Sequence, residues 1–122
     1  MQEFVSVVIG DRNNYYFVEE RDGMYAGFLV PVKTEMIPRE TPYEAAVRAA
    51  KYMLGMDVLV RTGKPYTEQL EEIRVFHLWA EPLGFAGDDN YPKVRVSVDE
   101  IGKSDLARYV PQIMTELGLM VN

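Results

Sequence analysis

The stretch Thr41-Pro-Tyr-Glu-Ala-Ala-Val-Arg-Ala-Ala-Lys-Tyr-Met-Leu-Gly55 constrains the fold more than any other part of the chain, because it carries its own start, body and stop. Thr41 and Glu44 have the spacing of a capping box, in which the Thr hydroxyl accepts from a free backbone N–H and the Glu side chain reaches back to the Thr amide. Pro42 falls at the first helical position, where a missing N–H costs nothing. Ala45, Ala46, Ala49, Ala50, Met53 and Leu54 supply strong helix formers and an apolar stripe, and Gly55 stands where a left-handed residue ends a helix. The spacing predicts a helix over Pro42 to Leu54.

Strand patterns surround it. Phe4 to Ile9 is β-branched and apolar, and Tyr15 to Glu19 follows the turn signal Gly10-Asp-Arg-Asn-Asn14, so the opening reads as a hairpin. Tyr25 to Val32 reads as a short strand ending in a loop from Lys33 to Arg39. Met56 to Val60 is a further strand, Thr62-Gly-Lys-Pro65 a loop, and Leu70 to Ala80 a long strand. From Val75 onward both faces of that strand are apolar, the pattern of a central strand covered on both sides. Pro82 to Pro92 reads as a long polar loop and Lys93 to Val98 as a final strand. Ser104 is a cap for a C-terminal helix whose apolar side is Leu106, Val110, Ile113, Met114 and Leu117, and Pro111 should kink or split it. The order predicts an α/β sandwich: a mixed β-sheet with one helix on each face.

At 122 residues the chain has the length of one domain, taken as 1–122, and 48% hydrophobic residues are enough for a packed core. A formal net charge of -6 opposes a nucleic-acid partner, which needs a basic surface. No apolar run is long enough for a membrane span, and Met-Gln-Glu lacks the basic and apolar regions of a signal peptide, so a cytoplasmic protein with no membrane partner is expected. With 0 cysteines and 1 histidine there is no disulfide, thiolate site or multi-His zinc site.

The element order together with the helix and its preceding loop resembles the Nudix hydrolases. Their box runs from a glycine through an acid, an Arg-Glu pair and a Glu-Glu pair to a closing Gly-aliphatic pair. Laid on this chain without a gap, the box matches at Glu40, Arg48 and Gly55, with Met56 closing it. The box glycine is Thr34, and the three acids after the arginine are Ala49, Tyr52 and Met53. The resemblance implies a Nudix-like α/β/α fold, with Glu40 and Arg48 fixing the loop onto the helix. In that family the three acids share one helical face, at i, i+3 and i+4, and hold Mg²⁺ or Mn²⁺ against a diphosphate. Alanine, tyrosine and methionine offer no carboxylate, so the box is degenerate and no metal or other cofactor is expected.

Several other residues carry chemistry. Glu35, Glu40 and Glu44, with Asp88 and Asp89, would form a rebuilt metal site if the loops converge; capping, the Arg48 partner and turn chemistry account for the same residues without metal. His77 is a lone base or a hydrogen-bonded cleft histidine. Tyr15, Tyr16, Phe17, Tyr25 and Phe28 are candidates for base stacking, against simple strand packing. Lys33, Arg39, Arg48 and Lys51 flank the box and would attract a phosphate. Tyr52 and Met53 turn a hydrated cleft wall apolar, suiting a ligand, a partner or the chain's own loop.

The resulting expectation is a degenerate Nudix-fold binding module, leaning away from an enzyme. It would take a nucleotide-like small molecule in a cleft bordered by Lys33, Glu44, Tyr52 and Met53, or a protein partner, with a homodimer as one candidate assembly. The alternatives are an active hydrolase of nucleoside diphosphate derivatives using Mg²⁺ or Mn²⁺ in a rebuilt site, and a pure interaction or assembly module.

Overall fold

The structure is a computed structural model and describes residues 1–61, 63, 65–85 and 90–120. Eight strands form one mixed sheet: β1 (Gln2–Gly10), β2 (Asn14–Glu19), β3 (Leu29–Val30), β4 (Val32–Glu35), β5 (Met56–Val60), β6 (Tyr66–Leu70), β7 (Ile73–Phe85) and β8 (Lys93–Ser97). The helices are α1 (Pro42–Leu54) and α2 (Val110–Glu116). Thr62, Lys64, Asp88 and Asp89, placed above in loops, lie outside the described residues.

Strand β1 organises the sheet. It runs parallel to β7 along its whole length, from Gln2 opposite Ile73 to Ile9 opposite Ala80. Its other edge is shared, Phe4 to Val7 pairing antiparallel with β4 and Ile9 with Gly10 pairing with β2. Strand β7 is divided in the same way, its first half taken by β6 and its second half by β5. Two half-sheets therefore diverge from the β1–β7 pair, and one of them, β4–β1–β7–β6, is free to carry a binding surface. Val5, Val7, Val8 and Ile9 are all fully buried, so β1 is covered on both faces.

Helix α1 covers one face, packing on β1, β4, β5 and β7. Its start and stop follow the sequence: Thr41 Oγ1 accepts from the Glu44 amide at 3.1 Å and Glu44 Oε1 accepts from the Thr41 amide at 2.9 Å. Gly55 ends it at φ 62° and ψ 28°, a left-handed geometry that a Cβ would strain. Four buried alanines, Ala45, Ala46, Ala49 and Ala50, let the helix axis sit close to the strands. Replacing the cap, Thr41→Ala, is expected to lower stability by about 1 kcal/mol in urea denaturation, since the Glu44 amide loses its partner.

The second helix covers the opposite face through Val110, Ile113 and Met114. Its start differs from the sequence expectation. Residues Val98–Lys103 form a 3₁₀ turn, Ser104 closes that turn rather than opening a helix, and α2 begins only at Val110. Pro111 lies in the first turn of α2, where its ring is tolerated, so it neither kinks nor splits the helix. Three strand expectations also change. Tyr25 to Val32 is not one strand: residues 24–27 form a turn, leaving β3 and the start of β4. Lys33 to Glu35 belongs to β4, because these residues find the free N-terminal half of the β1 edge. Leu70 to Ala80 is not one strand: Leu70 ends β6, and Glu71 and Glu72 make a tight turn into β7, with Glu71 at φ 51°. Strand β7 continues through Pro82 to Phe85, residues expected to open the long loop. Among the described residues, no helix is long and apolar enough to cross a membrane.

Candidate functional site

The box segment is held by one guanidinium. Arg48 grips the Glu40 carboxylate with two bonds, Nε to Oε2 at 2.7 Å and Nη2 to Oε1 at 2.9 Å, and Nη2 also reaches the Glu35 carbonyl at 2.9 Å. Glu40 Oε1 accepts a further bond from the Ile37 amide at 3.1 Å. The Arg48 bond, more than any other influence, holds the Glu40 carboxyl below the usual carboxylate range. The loop between β4 and α1 is thereby tied to the middle of the helix.

At the positions that resemble the family's acids, the surroundings are apolar or closed. Ala49 is 2% exposed and belongs to the core. Tyr52 points outward at 62% exposure, and its carbonyl accepts from the Asn90 side chain. Met53 is half-buried, and its carbonyl takes both the Asn90 and Tyr91 amides, at 3.1 and 3.0 Å. Asn90 and Tyr91 thus seal the C-terminal end of α1. Both Glu40 oxygens are bonded and Glu44 is engaged in the cap. Among the described residues, no three side chains of the His, Asp and Glu type converge to hold a metal ion. The residues present do not fit a hard-cation centre of the Nudix kind, which needs several convergent carboxylates.

A cavity of about 380 Å³ lies instead on the other face, between the β4–β1–β7–β6 half-sheet and α2. Its floor is one cross-strand row, Lys33 opposite Ser6, Ser6 opposite His77 and His77 opposite Tyr66. Because side chains alternate along strands, all four point to the same face. Glu68, one pleat further along β6, adds a carboxylate; Glu20, Tyr25 and Tyr109 wall the far side and Gln112 comes from α2. The Tyr66 ring stacks on His77 with centroids 5.4 Å apart, and Tyr25 meets Tyr109 edge-on at 4.9 Å.

His77 is the chemical centre of the row. It is 4% exposed, and its Nε2 lies 2.6 Å from Glu68 Oε1. Because that oxygen accepts, the neutral ring carries its proton on Nε2, and Nδ1 is a buried acceptor with no hydrogen-bond partner. Burial lowers the His77 pKa, and Lys33 pushes the same way, against the opposing pull of Glu68. In the unfolded chain a histidine titrates near 6.5. The folded protein therefore holds its full His77 contribution above that pH and loses stability as pH falls below it, until the folded ring protonates as well. Urea midpoints measured between about pH 7.5 and about pH 5.5 should fall for the wild type and fall less for His77→Gln. Burial likewise pushes the Tyr109 hydroxyl up to about 12, helped by the carboxylates of Glu20 and Glu68.

Known structures share this architecture. A Nudix hydrolase from Nitrosomonas europaea aligns with a TM-score of 0.71 at 22% identity, over 94% of this chain and 86% of that one. A hydrolase of the Nudix family from Clostridium perfringens aligns at 0.77 and 16% identity over 98% of both chains. An ADP compounds hydrolase aligns at 0.68 and 20% identity, over 97% of this chain and 70% of that one. The fold is that of the Nudix hydrolases. No protein-family model and no curated protein matches the sequence.

Within this Nudix fold, Lys33 is the one residue of the expected cleft set that borders the cavity; Glu44, Tyr52 and Met53 are on or beside α1. Of the expected stacking rings, Tyr25 reaches the cavity, whereas Tyr15 and Phe17 are buried in the core and Phe28 is 44% exposed at the surface. Of the basic residues beside the box, Lys51 pairs with Asp57 at 3.1 Å and Arg48 with Glu40. Tyr66, Glu68, Tyr109 and Gln112 were invisible as a group in the sequence. The available signal was the period-two pattern Tyr66, Glu68, Leu70, whose residues all face the cavity.

Proposed function

We propose that this chain is a catalytically degenerate Nudix-fold protein that binds a nucleotide-like small ligand in the cavity between the half-sheet and α2, without metal. One observation carries the reading: a cavity of about 380 Å³ is walled by three tyrosines and a few polar groups. Its volume lies within the range of small-molecule sites, and its mix of apolar walls with few convergent polar groups is the usual composition of such sites. The engagement of Glu40 and Glu44 in structural bonds supports a role without hydrolysis. Purified protein tested by thermal shift against nucleosides, nucleoside diphosphates, dinucleotides and sugar nucleotides, each with and without Mn²⁺, should rise in melting temperature with some members whether or not Mn²⁺ is present. A rise that requires Mn²⁺, accompanied by product release, would instead mark a hydrolase with a rebuilt site.

A protein-interaction role has its own support on the exposed surface of α1, where Tyr52 stands on one flank and Tyr43 with Val47 on the other. It predicts a concentration-dependent dimer or a partner complex that Tyr52→Ser weakens. Sedimentation as a monomer at every concentration, with no partner bound, would remove it.

A further inference from the structure

The charge inside the cavity narrows what it accepts. Among the described lining residues, two half-buried carboxylates, Glu20 and Glu68, face one cation, Lys33, which is exposed. An exposed ammonium is screened by water and salt, and half-buried carboxylates are screened less, so the interior is net negative while His77 is neutral. Among the described residues, the Glu20 carboxylate has no hydrogen bond or ion pair, and Glu68 is met only by His77. Tyr109 lines the same cavity as both acids. The guanidinium beside the box is committed to Glu40 and the Lys51 ammonium to Asp57, so neither is free to meet a phosphate.

We infer that the ligand is a flat nitrogen heterocycle bearing no phosphate, seated against Tyr25, Tyr66 and Tyr109 with its N–H groups or positive charge turned toward Glu20 and Glu68. This rests on the cavity being a ligand site at all. Aromatic faces attract a cationic ring electrostatically, and carboxylates accept from ring and exocyclic N–H groups, whereas a phosphate would meet like charge with one screened lysine to offset it. A nucleoside satisfies this chemistry; its mono- and diphosphates satisfy it progressively less well.

Isothermal titration of the whole chain with adenosine, AMP, ADP and the cationic N1-methyladenosine separates the possibilities. The expected order of affinity is N1-methyladenosine, adenosine, AMP, ADP, with at least about fivefold between the first and the second. Glu20→Gln removes a charge that has no partner, and Glu68→Gln keeps an acceptor for His77, so neither should unfold the protein; each should weaken N1-methyladenosine more than adenosine. Affinity that rises with phosphate, or that ignores both glutamine variants, overturns the inference and leaves the cavity as a ligand site. No binding by any of the four, with folding intact by circular dichroism, counts against both the inference and the ligand-site reading.

Discussion

Ala49→Glu is expected to destabilise the protein by about 3–5 kcal/mol, because the carboxylate would enter a core position with no cation or donor to meet it. Ala49 is 2% exposed and lies on the inward stripe that brings α1 close to the sheet. Tyr52→Glu, at a side chain 62% exposed, should change stability by no more than about 0.5 kcal/mol. Urea denaturation of both variants checks the contrast. Equal tolerance at the two positions would mean that the helix turns or lifts enough to present residue 49 to water, and that the box could regain an acid without penalty. The positions at which the resemblance places acids therefore differ physically: one is packed and one is open.

Arg48→Ala should cost about 2–3 kcal/mol, since it strands a carboxylate whose side chain is 8% exposed and frees the Glu35 carbonyl as well. Lysine at this position is not a substitute, because it cannot make the two-pronged contact with Glu40. The pair also sets an acid limb of the stability profile. Glu40 is depressed from 4.5, so its contribution is complete above that value and is lost as pH falls through the lower, folded value. Stability measured against pH should thus begin to fall near 6.5 and fall further below 4.5, the first loss reduced by His77→Gln and the second by Glu40→Gln. A wild-type profile that is flat from neutrality down to about pH 5 would contradict the buried neutral histidine.

Helix α1 was legible in the sequence to the residue, because Thr41, Pro42, Glu44 and Gly55 are local signals whose partners lie within a turn. The hairpin of β1 and β2 and the strand β5 were legible for the same reason: short, apolar and bounded by turn residues. Strand β6 was not. Its turn into β7 is made by Glu71 and Glu72, without the Gly or Asn that marks a tight hairpin, and Glu71 takes positive φ despite its side chain. The row Lys33, Ser6, His77 and Tyr66 exists only through the pairing of β6 with β7, which no local signal marks. The start of α2 was misplaced because Ser104 has capping chemistry wherever it stands, and it serves a 3₁₀ turn here. Register across strands and the pairing of remote edges are set by tertiary packing, and no local motif encodes them.

In the proposed function the ligand binds in the cavity, without metal on the box helix. The most direct test is a ¹H–¹⁵N spectrum of the labelled protein titrated in turn with adenosine, ADP and substoichiometric Mn²⁺. Shifts centred on Ser6, Tyr66, His77, Tyr109 and Gln112, with no selective Mn²⁺ broadening between Glu35 and Asp57, are the expected result. Selective broadening around Glu40 and Glu44 that a chelator reverses, together with ligand shifts confined to that segment, would contradict it.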